Sequence, residues 1–300
     1  MIPFAVSLSE YVVQIITGLG SGALLFLIAS GLTLIFGALR VINFAHGSLY
    51  MLGAYLVVTL TTELSGGTLN NPTFWLIFLG AAVAVALSGL IMEVLFFRPI
   101  YRRPLLTQLL VTFALVFIVN GIVREVWGPT TQSVSTPPLL DGSVGVLDGR
   151  IPIFQFVWMG SAVAVAITLW AILYKTGLGR MIRAAVSDPE LLRLSGVNVR
   201  VLFTGVFVLA AFFAGLAGAL KILAGSVQNT LAVDSIIQAF VVVVIGGLGS
   251  LSGAFIASFL VGVAEALGLL WMPQASLAIV FAVLVVVLAL RPQGIMGQKG

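Results

Sequence analysis

Between Glu10 and Glu63 the chain carries one charged residue, Arg40. A single helix over that segment would be about 75 Å long, more than twice the roughly 30 Å thickness of a bilayer's hydrocarbon core. The chain must therefore cross an apolar layer twice and reverse in between. The reversal falls at Arg40, because an Arg held at mid-depth is disfavoured by about 3 kcal/mol on insertion scales. Composition extends the constraint to the whole chain. Only 8% of the 300 residues are charged and 60% are hydrophobic, against about 25% charged in a soluble domain. Mean hydropathy is +1.21. So few charges cannot cover a water-facing surface, and the fold class is an all-α polytopic transmembrane bundle, a single domain over residues 1–300.

Six further apolar runs predict spans near 74–97, 105–127, 153–174, 201–224, 253–271 and 276–290. Length and the abundance of Ala and Leu favour helix over strand. A shorter run, 236–247, ends in GGLGSLSG and reads either as a full crossing or as a re-entrant half-helix. The first run, from Tyr11 to about Leu39, has no positive charge before it and is too long for a signal-peptide core, so it too is a span. The total is eight or nine, and nine is preferred.

Basic residues set the sidedness. RPIYRRP (98–104), the 175–200 segment and the C-terminal RPQGIMGQKG are rich in Arg and Lys. The alternate loops TELSGGTLNNPT and GSVQNTLAVDS have neither, and the 128–152 loop has only Arg150. Basic loops belong in the cytoplasm. With nine spans the N-terminus is outside and the C-terminus, including Lys299, is inside. A pI near 9.8 thus reflects membrane orientation and not nucleic-acid binding. Gly18 and Gly22, Ala210, Ala214 and Gly218, and Ala211, Gly215 and Ala219 form small-residue faces that let helices approach closely.

Several chemistries are excluded. There is no Cys and one His, so no thiolate or multi-histidine metal site exists. Lys175, Lys221 and Lys299 are preceded by Tyr, Leu and Gln; without a Gly-Lys pair there is no phosphate-cradling loop, and any ATP is bound by another chain. Neither H-E-x-x-H nor G-x-S-x-G occurs. No cofactor is implied. Among acids within spans, Glu93 lies about one turn from Arg98, Arg124–Glu125 sit near a span end, and Glu265 reads as a bundle-facing acid paired with a neighbour's polar group. Few side chains suit recognition of a charged solute, so the passage reads as permissive.

Two polar stretches remain. In GALRVINFAHGSLY, Asn43, His46, Gly47 and Ser48 are predicted at the start of the returning helix, with Asn43, His46 and Gly47 spaced to share one face. Two roles are open: bonding carbonyls freed at the break, or lining the translocation path or its inner gate. In GLGRMIRAAVSDPELLRLSGVNVR, a helix over 178–186 is followed by Ser187-Asp188-Pro189-Glu190. Either Ser187 or Asp188 caps a second helix, with Pro189 in its first turn and Gly196 as its stop. This cytoplasmic helix pair is either an amphipathic connector or an element that docks in a partner's groove.

Taken together, IFGALRVINFAHGSLYMLGAY and RAAVSDPELLRLSGVNVRVLFTGVFVLAAFFAGLAGAL strongly resemble the inner-membrane permeases of bacterial ABC importers for branched-chain amino acids, most closely the H-type subunit. The likeness runs from about residue 12 to the terminal RPQGIMG. It implies a second, homologous permease, two cytoplasmic ATPase subunits and an extracytoplasmic substrate-binding protein that delivers Leu, Ile or Val. It also places Arg183, Asp188, Pro189, Glu190 and Gly196 in the segment that contacts an ATPase. Relatives of the same architecture carry urea or short-chain amides, which leaves the substrate open. An ATP-independent carrier or channel is the competing class.

Overall fold

The computed structural model describes residues 7–66 and 71–297; the Lys299 expectation lies outside them. Helix α1 (Leu8–Leu39) opens with a capping box. Ser7 accepts from the Glu10 amide at 3.3 Å, and the Glu10 carboxylate accepts from the Ser7 amide at 2.8 Å, satisfying two otherwise free donors. The helix ends at Arg40, which adopts the left-handed conformation (φ 55°) and donates its amide to Phe36 O. The reversal thus falls where the lone charge predicts.

The remaining helices are α2 (His46–Ser65), α3 (Asn71–Met92), α4 (Leu105–Trp127), α5 (Ile153–Lys175), α6 (Gly177–Ser187), α7 (Pro189–Leu194), α8 (Val199–Lys221), α9 (Leu231–Gly246), α10 (Leu251–Trp271) and α11 (Ser276–Leu290). Helix α3 continues through a π-helical turn at Glu93–Phe97 and a 3-10 turn at Arg98–Ile100. Two small antiparallel pairs complete the structure: β1 (Gln132–Ser133) with β4 (Ser226–Val227), and β2 (Ser143–Val146) with β3 (Gly149–Pro152). The expectation of an all-α membrane bundle holds. Seven helical stretches among the described residues are long and apolar enough to cross a membrane. Their outward faces carry large apolar side chains such as Leu76, Phe117 and Val285, as lipid contact requires.

Contacts fix the direction of each pass. Tyr11 of α1 receives a hydrogen bond from Trp271 of α10 (3.2 Å), and Trp127 of α4 donates to Thr59 of α2 (2.8 Å). These groups, with all four strands, form one end, here the sheet end. At the other, the short-helix end, Arg40 donates to Val186 O of α6 (3.2 Å). There also the C-terminal turn seats Ile295 and Met296 amides on Ile245 O and Gly246 O of α9. Helix α9 therefore carries the chain from β4 at the sheet end to the short-helix end. The 20-residue α2 and the 16-residue α9 run beside the seven longer stretches, and the 236–247 run is most of α9 and does not turn back on itself.

Helix α9 begins five residues before that run because Asp234 and Ser235 lie within it. They face a polar cavity, so their polarity does not end the helix. Asn43 also departs from expectation. The returning helix starts at His46, with Asn43 in the non-helical stretch before it; the Asn43 carbonyl accepts the first free amide, that of His46 (3.3 Å). With Arg40 left-handed, residues 41–43 belong to no helix and the chain turns at Phe44–Ala45 before α2 starts.

The small-residue faces pack this chain's own bundle. Gly18 and Gly22 abut Gly262 and Ser258 of α10, while Gly215 and Gly218 abut Val85 of α3 and Tyr50 O of α2.

Candidate functional site

Polar residues from five passes meet in the sheet-end half of the bundle. Helix α1 supplies Gln14, Thr17 and Ser21, one helical stripe at steps of three and four. Residues Gln155 of α5, Lys221 of α8, Asp234 and Gln238 of α9, and Glu265 of α10 face the same space, a cavity of about 470 Å³. Gln238 donates to the Glu265 carboxylate at 2.9 Å, and Gln14 donates to Ala266 O at 2.7 Å. Glu265 is thus the bundle-facing acid with a polar partner that the sequence predicts. Lys221 and Asp234 form no ion pair; among the described residues the one salt bridge is Arg98–Glu93. Tertiary structure places Lys221 and Asp234 around the same cavity as Glu265, a grouping that the sequence, read acid by acid, does not show.

The cavity ends at the helix break. Ile28 and Tyr50 line it. One turn before Tyr50, the fully buried His46 places Nε2 3.1 Å from Ile28 O. That carbonyl lies in mid-α1, so His46 does not serve a carbonyl released by the break. Asn43 and Ser48 are also fully buried, and their side chains have no partner within the protein. A Cβ on Gly47 would stand 2.2 Å from Ala232 O, so this glycine permits α2 and α9 to touch. Below them Phe44 stacks on Phe113 (4.4 Å) and Phe240 (5.4 Å). The four sequence-predicted residues therefore lie together beneath the cavity and not in its lining.

The break is joined to the short-helix end. Arg40 bonds the carbonyl of Val186, the residue before Ser187 ends α6. Asp188, not Ser187, caps α7: its Oδ1 accepts from the amides of Glu190 and Leu191, each at 2.9 Å. Pro189 occupies the first turn, and Gly196 ends the segment at φ 84°. There the Val197 amide reaches Leu192 O, and the Gly196 amide reaches Arg193 O, a Schellman stop. Arg183 donates to Leu173 O and covers the Tyr174 ring at 5.3 Å, which seats α6 on the end of α5. The surface left open is on α7, where Leu191 and Leu194 are 62% and 85% exposed. Sequence reasoning singled out Arg183, Asp188, Pro189, Glu190 and Gly196 and passed over these two leucines.

A second buried network braces the same end. Glu93, 0% exposed, accepts from Arg98 (3.1 Å), Tyr101 (3.0 Å) and Thr204 of α8 (2.9 Å). It does not snorkel to an interface. Burial and the neighbouring carboxylate push the Tyr101 hydroxyl well above its ordinary range, so it stays a donor to Glu93.

A lipid-faced bundle, a polar cavity stopped at a helix break and an exposed helix pair at one end define a multi-pass membrane permease. The chain belongs to the family described as branched-chain amino acid transport system / permease component, whose model matches residues 14–288. It is 30% identical to the high-affinity branched-chain amino acid transport system permease protein BraD of Pseudomonas aeruginosa, covering 96% of each chain. It is 30% identical to LivH of Salmonella typhimurium and 29% to LivH of Escherichia coli K12, both described as high-affinity branched-chain amino acid transport system permease proteins, over 95% of each chain. No solved structure matches the chain.

Proposed function

We propose that this chain is the membrane-spanning permease subunit of an ATP-driven importer of branched-chain amino acids in the bacterial cytoplasmic (inner) membrane. It forms the translocation path with a second permease. Two cytoplasmic ATPase subunits drive it, and an extracytoplasmic binding protein delivers the substrate. The short-helix end, which carries the basic loops, faces the cytoplasm, so the N-terminus is outside and the C-terminus inside.

One observation carries this reading: the capped, exposed helix α7 is linked through α6 and the Arg40–Val186 bond to the helix break below the cavity. An ATPase that seats Leu191 and Leu194 in a groove would move that link. Motion of Val186 would reach Arg40 and then the buried Asn43–Ser48 segment, the proposed inner gate. A neutral solute such as urea would leave the charged groups of the cavity unmatched, which favours an amino acid as cargo.

Two tests follow. Replacing Leu191 and Leu194 together by Glu should lower substrate-stimulated ATP hydrolysis by about tenfold, as expected when an apolar anchor worth over 1 kcal/mol leaves its pocket. Charge reversal at Glu190 should lower it too. Delivery-protein docking at the far end should be unaffected. Unchanged stimulation in these variants would make the segment a mere connector. For the gate, Asn43→Leu and His46→Leu should each lower leucine uptake by about tenfold in reconstituted complex with normal expression and assembly. Normal uptake would remove these residues from the path.

A further inference from the structure

Lys221, Asp234 and Glu265 lie on three successive helices, α8, α9 and α10, and line one cavity. We propose that this cavity is a binding site for the zwitterionic head of an α-amino acid within the permease itself. Lys221 would take the carboxylate, and the Asp234 and Glu265 carboxylates the ammonium. The inference rests on the amino-acid import reading and adds a recognition step to it.

Three observations carry the proposal. The first is charge of both signs. The lining holds one cation and two carboxylates, no two of them in a salt bridge; Glu265 accepts from Gln238 through one oxygen and lies in the field of Lys221, which leaves Asp234, the second Glu265 oxygen and the Lys221 ammonium without a direct ionic partner. In a partly water-excluded space such charges act more strongly than at a surface, and charge-assisted hydrogen bonds exceed neutral ones.

The second is size and shape. About 470 Å³ lies within the ordinary range for small-molecule sites. The lower wall of Leu24, Leu25 and Ile28 is aliphatic, suited to a branched side chain pointing down towards the break. The sheet-end part mixes the charged groups with Phe154, Leu231 and Leu269, so the charged head has its partners there and the aliphatic tail has apolar surface on either side.

The third is unused hydrogen-bonding capacity. Gln155 lines the cavity and is 6% exposed, and its Oε1 has no partner. A buried amide oxygen is seldom left unpaired without a role. Lys221 itself is held in place by its neighbourhood: Trp158 of α5 donates to the Leu220 carbonyl at 2.9 Å, fixing the turn that presents the lysine.

The test measures binding directly, without the delivery protein. The full-length chain, in nanodiscs with the subunits that co-purify with it, is titrated with leucine, 3-methylbutylamine and 4-methylpentanoate. Saturation-transfer NMR on the ligand methyl protons gives the Kd of each. Leucine should bind about tenfold more tightly than either analogue, because each analogue lacks one charged contact. Lys221→Met should erase the preference for leucine over 3-methylbutylamine, and Lys221→Arg should restore it. The double variant Asp234→Asn, Glu265→Gln should erase the preference over 4-methylpentanoate. Lys175→Gln, at the opposite end of the bundle, should change neither. Loss of preference with retained analogue binding shows that the variants remain folded. Equal binding of all three ligands, no binding of leucine to wild type, or a preference unmoved by Lys221→Met would overturn the site. Import is scored separately: a complex that imports urea and not leucine would overturn the proposed cargo, whatever the binding arms show.

Discussion

Gly218→Ala is expected to prevent the bundle from assembling, while Gly121→Ala is expected to leave it intact or more stable. A Cβ at Gly218 would stand 1.7 Å from Tyr50 O. That oxygen belongs to the backbone of α2, so no rotamer change relieves the clash and α2 must separate from α8. Overpacking a close contact ordinarily costs about 1–3 kcal/mol, and rigid backbone on both sides places this case at or beyond the upper end. Separation would also open the floor of the cavity, since Tyr50 lines it. Around Gly121 of α4 nothing lies within 4 Å of an added Cβ, and exchanging a helical Gly for Ala is favourable by about 1 kcal/mol. Thermal unfolding in detergent, with gel filtration as a check on dispersity, distinguishes the two. A Gly218→Ala protein that unfolds at the wild-type temperature would contradict the close α2–α8 contact.

Glu93→Ala is the second large effect. Removing one partner of a buried ion pair typically costs about 3–5 kcal/mol, because the remaining charge stays desolvated. Here the Arg98 side chain is 37% exposed and can turn partly towards water, which places the expected loss near 3 kcal/mol. Tyr101 and Thr204 lose an acceptor as well. The double variant Glu93→Ala, Arg98→Met removes the orphaned charge and should recover part of the loss. Denaturant titration of the purified protein measures both. If the double variant is no more stable than the single one, the cost is in packing at the π-helical turn and not in the unpaired charge.

How much of this was legible in the sequence differs by element. The spans at 105–127 and 276–290 match α4 and α11 residue for residue, because a Pro at 104 and an Arg at 291 bound long apolar runs. Asp188, Pro189 and Gly196 announced the short-helix end, since caps and stops are local chemistry. The hairpin at 143–152 was missed because its two-residue loop is Leu147-Asp148, with Leu147 in the left-handed region at φ 52°, where turn chemistry leads one to expect Asn, Asp or Gly. The cavity was missed for a different reason. Lys221, Asp234 and Glu265 are single polar residues in separate apolar runs, and only tertiary packing brings them together. Its local traces are the Gln14–Thr17–Ser21 stripe on α1 and the Asp234–Ser235–Gln238 positions, of which the first two were read as the end of a loop and the third as part of the apolar 236–247 run. The break shows the converse. Asn43 and His46 stand out in sequence, yet their placement beneath the cavity depends on how far Ile28 lies along α1.

The central claim is that this bundle is a conduit whose energy source grips its short-helix end. The most direct test is uptake of labelled leucine into proteoliposomes holding either the purified chain alone or the complex that co-purifies with it. Binding protein is present in both, and ATP is present or absent. The complex should accumulate leucine only with ATP inside the compartment facing α7, and the chain alone should accumulate none. Uphill accumulation by the chain alone, with no nucleotide-hydrolysing subunit present, would contradict the account.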